Sequence, residues 1–123
     1  MIRNMDQMIA IAKQMPDFEG KVFREFPQVF PEAPFVVIST ISGVADLVIG
    51  GEEIISSMTY SVDVYADTPD DAEDLLAELN DLYTEYNIIR IGGSSGFDSN
   101  CALYRANISL RATLDKRGGS YHN

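Results

Sequence analysis

Near the start of the chain Ile2, Met5, Met8, Ile9, Ala12 and Met15 recur every three or four positions, with Asn4, Asp6, Gln7 and Lys13 between them. That spacing puts the apolar side chains on one stripe of an amphipathic helix, and Pro16, which cannot donate to a helical ladder, stops it. Lys21 to Phe26 predicts a short strand. Prolines at 27, 31 and 34 then mark an extended connection. Phe35 to Ile41 is apolar and β-branched enough for a strand buried on both faces. The weaker apolar stretch Val44 to Ile49, flanked by Ser42, Gly43, Gly50 and Gly51, reads as a loop or a short hairpin arm.

From Ile54 the period becomes two. Met58, Tyr60, Val62, Val64 and Ala66 alternate with Thr59, Ser61, Asp63, Tyr65 and Asp67, the pattern of a strand with one buried face. A helix follows: Thr68 can cap it, Pro69 suits its first position, and Asp70 and Asp71 sit where the helix dipole favours negative charge. Ala72, Leu75, Leu76, Leu79, Leu82, Tyr83 and Tyr86 fall on one side of it, and Glu73, Asp74, Glu78, Asp81 and Glu85 on the other. None of these acids has a Lys or Arg four residues on, so the outer side carries like-charge repulsion without local ion pairs.

After Asn87, Ile88 to Ile91 predicts a short strand, Gly92 to Asn100 a Gly- and Ser-rich loop, and Tyr104 to Leu114 a longer alternating strand that pairs with the first as a hairpin. The order of elements predicts a two-layer α+β domain over residues 1–115, with a mainly antiparallel sheet and two helices packed on one face. Residues 116–123 read as a flexible polar tail.

Composition narrows the function. At 123 residues the chain has the length of one domain, and 46% hydrophobic residues are enough to fold it. No run approaches the roughly 20 apolar residues of a membrane span. The first residues lack the continuous apolar segment of a secretory signal, so synthesis in the cytoplasm without export is expected. One cysteine, Cys101, and one histidine, His122, supply neither a disulfide nor a transition-metal cluster.

The net charge of −10 is unevenly spread, since residues 25–85 hold fourteen acids and no base while residues 86–123 hold five bases and two acids. A basic face for nucleic acid is not expected. An acidic middle and a mildly basic end suit a head-to-tail contact between copies, the kind that closes into rings.

No catalytic motif in the chain is complete. Gly92-Gly93-Ser94-Ser95-Gly96 satisfies the G-x-S-x-G pattern, with Asp98, Asp115 and His122 later in the right order. A nucleophile elbow needs a helix straight after it, and an alternating strand comes next instead. The same glycines are not a phosphate loop, because Phe97-Asp98 stands where Lys and Ser or Thr are required. Asp67, Asp70, Asp71 and Asp74 lack the alternating ligand loop and distal Glu of a calcium site, and helix capping accounts for them. No catalytic, cofactor or metal residue is expected.

Taken together the elements resemble the tail-terminator and tail-completion proteins of long-tailed phages. The resemblance rests on the N-terminal helix, on Val22-Phe23-Arg24-Glu25-Phe26 leading through prolines to Ala33-Pro34-Phe35-Val36-Val37-Ile38, on Tyr60 to Ala66 running into the helix at Ala72 to Leu82, and on Tyr104 to Arg111. It implies a structural virion protein without turnover, assembled in the host cytoplasm. Such a protein forms a ring, usually a hexamer, at the head-proximal end of the tail, stops growth of the tail tube and presents a surface to the head connector. Tail-tube protein and head-connector protein are then its partners, and DNA passes through without specific binding. On that reading Asp70, Asp71, Asp74, Glu78 and Asp81 form an acidic lumen or partner face, and Arg105, Arg111 and Asp63 belong to the contact between subunits.

Two other classes fit the same residues. One is a small dimeric α+β module holding a ligand on its open sheet face. The other is an acidic mimic of DNA that inhibits a basic nucleic-acid enzyme, for which the fourteen-acid middle is the motive.

Overall fold

The computed structural model describes residues 4–25, 31–49, 52–99, 101–115 and 119–120. Helix α1 is Asn4–Ala12, followed by a short 3₁₀ turn, Pro16–Phe18, and strand β1, Val22–Arg24. Strands β2, Phe35–Ile49, and β3, Glu52–Ala66, precede helix α2, Pro69–Glu85. Strands β4, Ile89–Asp98, and β5, Leu103–Asp115, form the last hairpin, and a two-residue strand β6, Gly119–Ser120, lies beside Leu114 and Asp115 of β5. The strand order is β1-β2-β3-β5-β4. Only β1 against β2 is parallel among the described pairings, so the fold is the expected α+β, mainly antiparallel one.

Both helices lie on one face of this sheet. Met5, Met8, Ile11, Ala12, Met15 and Phe18 from the N-terminal segment meet Ala72, Leu76, Leu79 and Tyr83 of α2 over Val36, Ile38, Tyr60, Val62, Val64, Ile108 and Leu110. Burying each large side chain of this set contributes roughly 1.5–3 kcal/mol. Helix α2 starts as its sequence predicts: Thr68 is extended, and its Oγ1 accepts from the Asp71 N–H at 3.1 Å. At the other end Asn87 takes φ 60°, its N–H donates to Thr84 O at 3.0 Å, and the Ile88 N–H donates to Tyr83 O at 3.1 Å. This is the Schellman arrangement, with Ile88 buried beneath it.

Four expectations need correction. The strand Phe35 to Ile41 does not stop there: of the two readings of Val44 to Ile49, loop or hairpin arm, the second holds, and they continue β2 against β3 with register shifts after Thr40, Ala45 and Leu47. The expected loop Gly92 to Asn100 is strand as far as Asp98, because the long ladder of β5 pairs with it and supplies the order that Gly and Ser lack by themselves. The strand expected over Lys21 to Phe26 is only Val22–Arg24, and Glu25, at φ 60°, turns away while its N–H donates to Ile38 O; Phe26 lies outside the described residues. Finally, β3 is not buried on one face alone. Tyr65 is 2% exposed on the face away from the helices, stacked on Phe35 at 4.8 Å, with Val37, Phe23, Cys101 and Leu103 around them. The Gly-Ser pentapeptide thus lies inside a strand and makes no nucleophile turn. Of the tail at 116–123 only Gly119 and Ser120 are described.

Candidate functional site

The surface of α2 is the most charged of the described elements. Asp70, Asp71, Glu73, Asp74, Glu78, Asp81 and Glu85 are all exposed, and the helix carries no Lys or Arg. They are exposed because the opposite stripe is fixed in the core by Leu76, Leu79 and Tyr83. With no counter-charge on the helix, their fields add outward into solvent. The five acids expected to form one face, Asp70, Asp71, Asp74, Glu78 and Asp81, thus share one exposed helix.

Between α2 and β4 runs a trough of about 360 Å³, bounded by Glu73, Asn80 and Asp81 on the helix and by Arg90, Gly93, Ser94 and Ser95 on the strand. A second hollow of about 220 Å³ shares Glu73, Ser95 and Ala106 with it and reaches Phe97 and Tyr104. The trough exists because β4 has almost no side chains to fill it. At Gly93 a Cβ would stand 2.6 Å from Asn107 O and 2.9 Å from Nη2 of Arg90, so glycine is what lets the Arg90 side chain lie across the strand.

The other sheet face is polar beyond the Phe35–Tyr65 end. Asn107 Nδ2 donates to Ser61 Oγ at 2.7 Å and to Asp63 Oδ1 at 2.8 Å, and Arg105 Nη1 lies 3.5 Å from the same Asp63 oxygen. Burial raises the Asp63 carboxyl above its ordinary value, against the lowering effects of the Asn107 hydrogen bond and the Arg105 charge. Two of the three residues expected at a subunit contact, Arg105 and Asp63, are therefore brought together within one chain. Arg111 is not part of that pair; it stands exposed, in register with Thr59 on one side and Ile89 on the other.

Cys101 packs beside Tyr65, its thiol raised by burial and by Asp98. Among the described residues no three His, Cys, Asp or Glu side chains converge as a metal site would need, and no helix is long and apolar enough to cross a membrane. Sequence reasoning missed the outer edge of β4, where Ile89, Ile91 and Phe97 are about half exposed. The one signal for it was the absence of any charge from Ile91 to Phe97.

No protein family's sequence pattern and no curated protein sequence matches the chain. Among solved structures it is similar to the gp17 protein of bacteriophage SPP1, with a TM-score of 0.54 and 15% identity over 94% of this chain and 91% of that one. Over nearly its whole length, therefore, the chain has the same α+β fold as that bacteriophage protein.

Proposed function

We propose that this protein is a structural subunit of a long phage tail: a ring at the head-proximal end that stops growth of the tail tube and joins tail to head. The observation that carries the reading is the fold shared, end to end, with a bacteriophage protein, and the sequence resemblance to tail terminators points the same way. The charge distribution gives the ring a physical basis. The α2 carboxylates line its channel or a partner face, where they repel DNA phosphates and let the genome pass without sticking. The contact between copies is head to tail, with Arg111 on the polar sheet face meeting acids of the neighbour. Arg105 joins it from its internal pair with Asp63. Tail-tube protein and the head connector take the two ends of the ring, and the virion is its final location.

The test is the native mass of the purified protein, alone and mixed with tail-tube protein, over a range of salt, beside the double variant Arg105→Glu with Arg111→Glu. The expected result is a ring near six copies that salt weakens, and a folded double variant that no longer forms it. Intact rings from the double variant would overturn the proposed contact, and a protein that neither forms a ring nor binds tail-tube protein would overturn the function.

A further inference from the structure

Among the described residues, the outer side of β4 is an open sheet edge ten residues long. Soluble proteins blunt such edges with Lys, Pro or shortness, because a row of unpaired N–H and C=O groups is a template for another strand. The other end of this sheet follows that rule: β1 is three residues long and Glu25 turns the chain out of it. The β4 edge does not. From Ile91 to Phe97 it has neither charge nor proline, its middle is Gly and Ser, and Ile91 and Phe97 are 48% and 57% exposed. A bulge at Ile91 turns one end slightly, but the run from Gly92 to Asp98 is regular.

We infer that the β4 edge is a two-fold contact, in which β4 of one copy pairs antiparallel with β4 of a second copy about Ser94. The strand is complementary to itself in that direction. Centred on Ser94, the pairing sets Gly93 against Ser95 and Gly92 against Gly96 within the regular run, and the bulged Ile91 falls beside Phe97. Half-exposed apolar side chains, Ile91 and Phe97, then come together at both shoulders, and no like charges are set against each other. Gly92 and Gly96 on the open face put no side chain in the way. The sheets of the two copies become one, with both α2 helices on the same side and their acids flanking the seam. This contact is complete at two copies, as isologous contacts are, and it uses a different surface from the ring contact.

The test places a cysteine on the dyad. In a Cys101→Ser background, Ser94→Cys brings two thiols face to face at about the 4.5–5.5 Å Cα separation of paired antiparallel residues, within disulfide range. Mild oxidation of the dilute protein should give a covalent dimer in high yield, whereas Ser109→Cys, one strand inward, should stay monomeric. Ser94→Lys, which sets two like charges on the dyad, should halve the native mass of the free protein without changing its circular dichroism. The dimer should persist at about 1 M salt, where the Debye length is about 3 Å. A wild-type protein monomeric at all concentrations, or a Ser94→Cys variant that forms no more disulfide than Ser109→Cys, would overturn the inference. Loss of the ring with the Ser94→Cys dimer intact would count against the ring alone, and the reverse against the edge contact alone.

Discussion

The hydroxyl of Tyr83 in α2 donates a 2.7 Å hydrogen bond to the backbone oxygen of Met8 in α1, in a site closed to solvent. Burial pushes the phenol's proton affinity well above its ordinary value, so the group is a donor at all working pH. It ties the two helices together through residues 75 positions apart in sequence.

Tyr83→Phe should therefore destabilise the fold by about 1–2 kcal/mol, the net worth of a buried neutral hydrogen bond plus the acceptor left behind. Tyr86→Phe is the contrast, because the Gln14 amide donates to the Tyr86 hydroxyl at 2.9 Å where water can replace it. Urea unfolding of the two variants checks this. Equal midpoints for the two would show that the Met8 bond fixes nothing.

Asp63 sets a pH dependence whose sign is unusual for a carboxylate near an arginine. Burial raises its folded pKa, so the folded chain holds the proton more tightly than the unfolded one. Its contribution favours folding below the ordinary carboxylate range and is lost as the pH rises through the raised value. Asp63→Asn removes that titration and keeps an acceptor for Asn107. Relative to the variant, the wild type should lose stability as the pH is raised through the acidic range, and the difference should be flat above it. Urea midpoints at a series of pH values measure this, and a difference that grows in favour of the wild type would refute it.

Gly93→Ala should cost about 1–3 kcal/mol, as overpacked sites do, because the new Cβ meets the Asn107 carbonyl, which cannot move without breaking the β4–β5 ladder. Gly96→Ala in the same strand meets nothing within 4 Å and should change stability by less than about 1 kcal/mol, in either direction. Thermal unfolding of the pair separates backbone contact from loss of chain flexibility. A Gly93→Ala protein as stable as the Gly96→Ala one would remove the close contact from the account of the trough.

Helix α2 was legible because cap, proline, dipole acids and apolar period all agree over seventeen residues. Its acids were legible for the same reason, since the apolar stripe fixes which side faces water. Strand β4 was not, because Gly-Gly-Ser-Ser-Gly has no period of its own and its conformation is imposed by β5 from across the hairpin. The Asp63–Asn107–Arg105 group was illegible for a related reason: the residues come from strands over 40 positions apart, and only the register of β3 on β5 puts them side by side. The second core around Phe35 and Tyr65 escaped because Tyr65 occupies a position that alternation assigns to water. Its cover comes from Phe23, Cys101 and Leu103, which no local pattern links to it.

The strand order has a further consequence, in time. Strand β5, the last long one to be made, takes the slot between β3 and β4, pairing Ile55 with Asp115 and Ala66 with Tyr104. A chain still emerging from the ribosome can form the β2–β3 hairpin and α2, but the inner edge of β3 stays bare until residues beyond 103 arrive. Such non-local pairings slow folding and leave strand edges open to aggregation while they wait. The β4–β5 hairpin is local, whereas its pairing with β3 is not, so the time that non-local pairing takes sets how long each newly made chain is at risk.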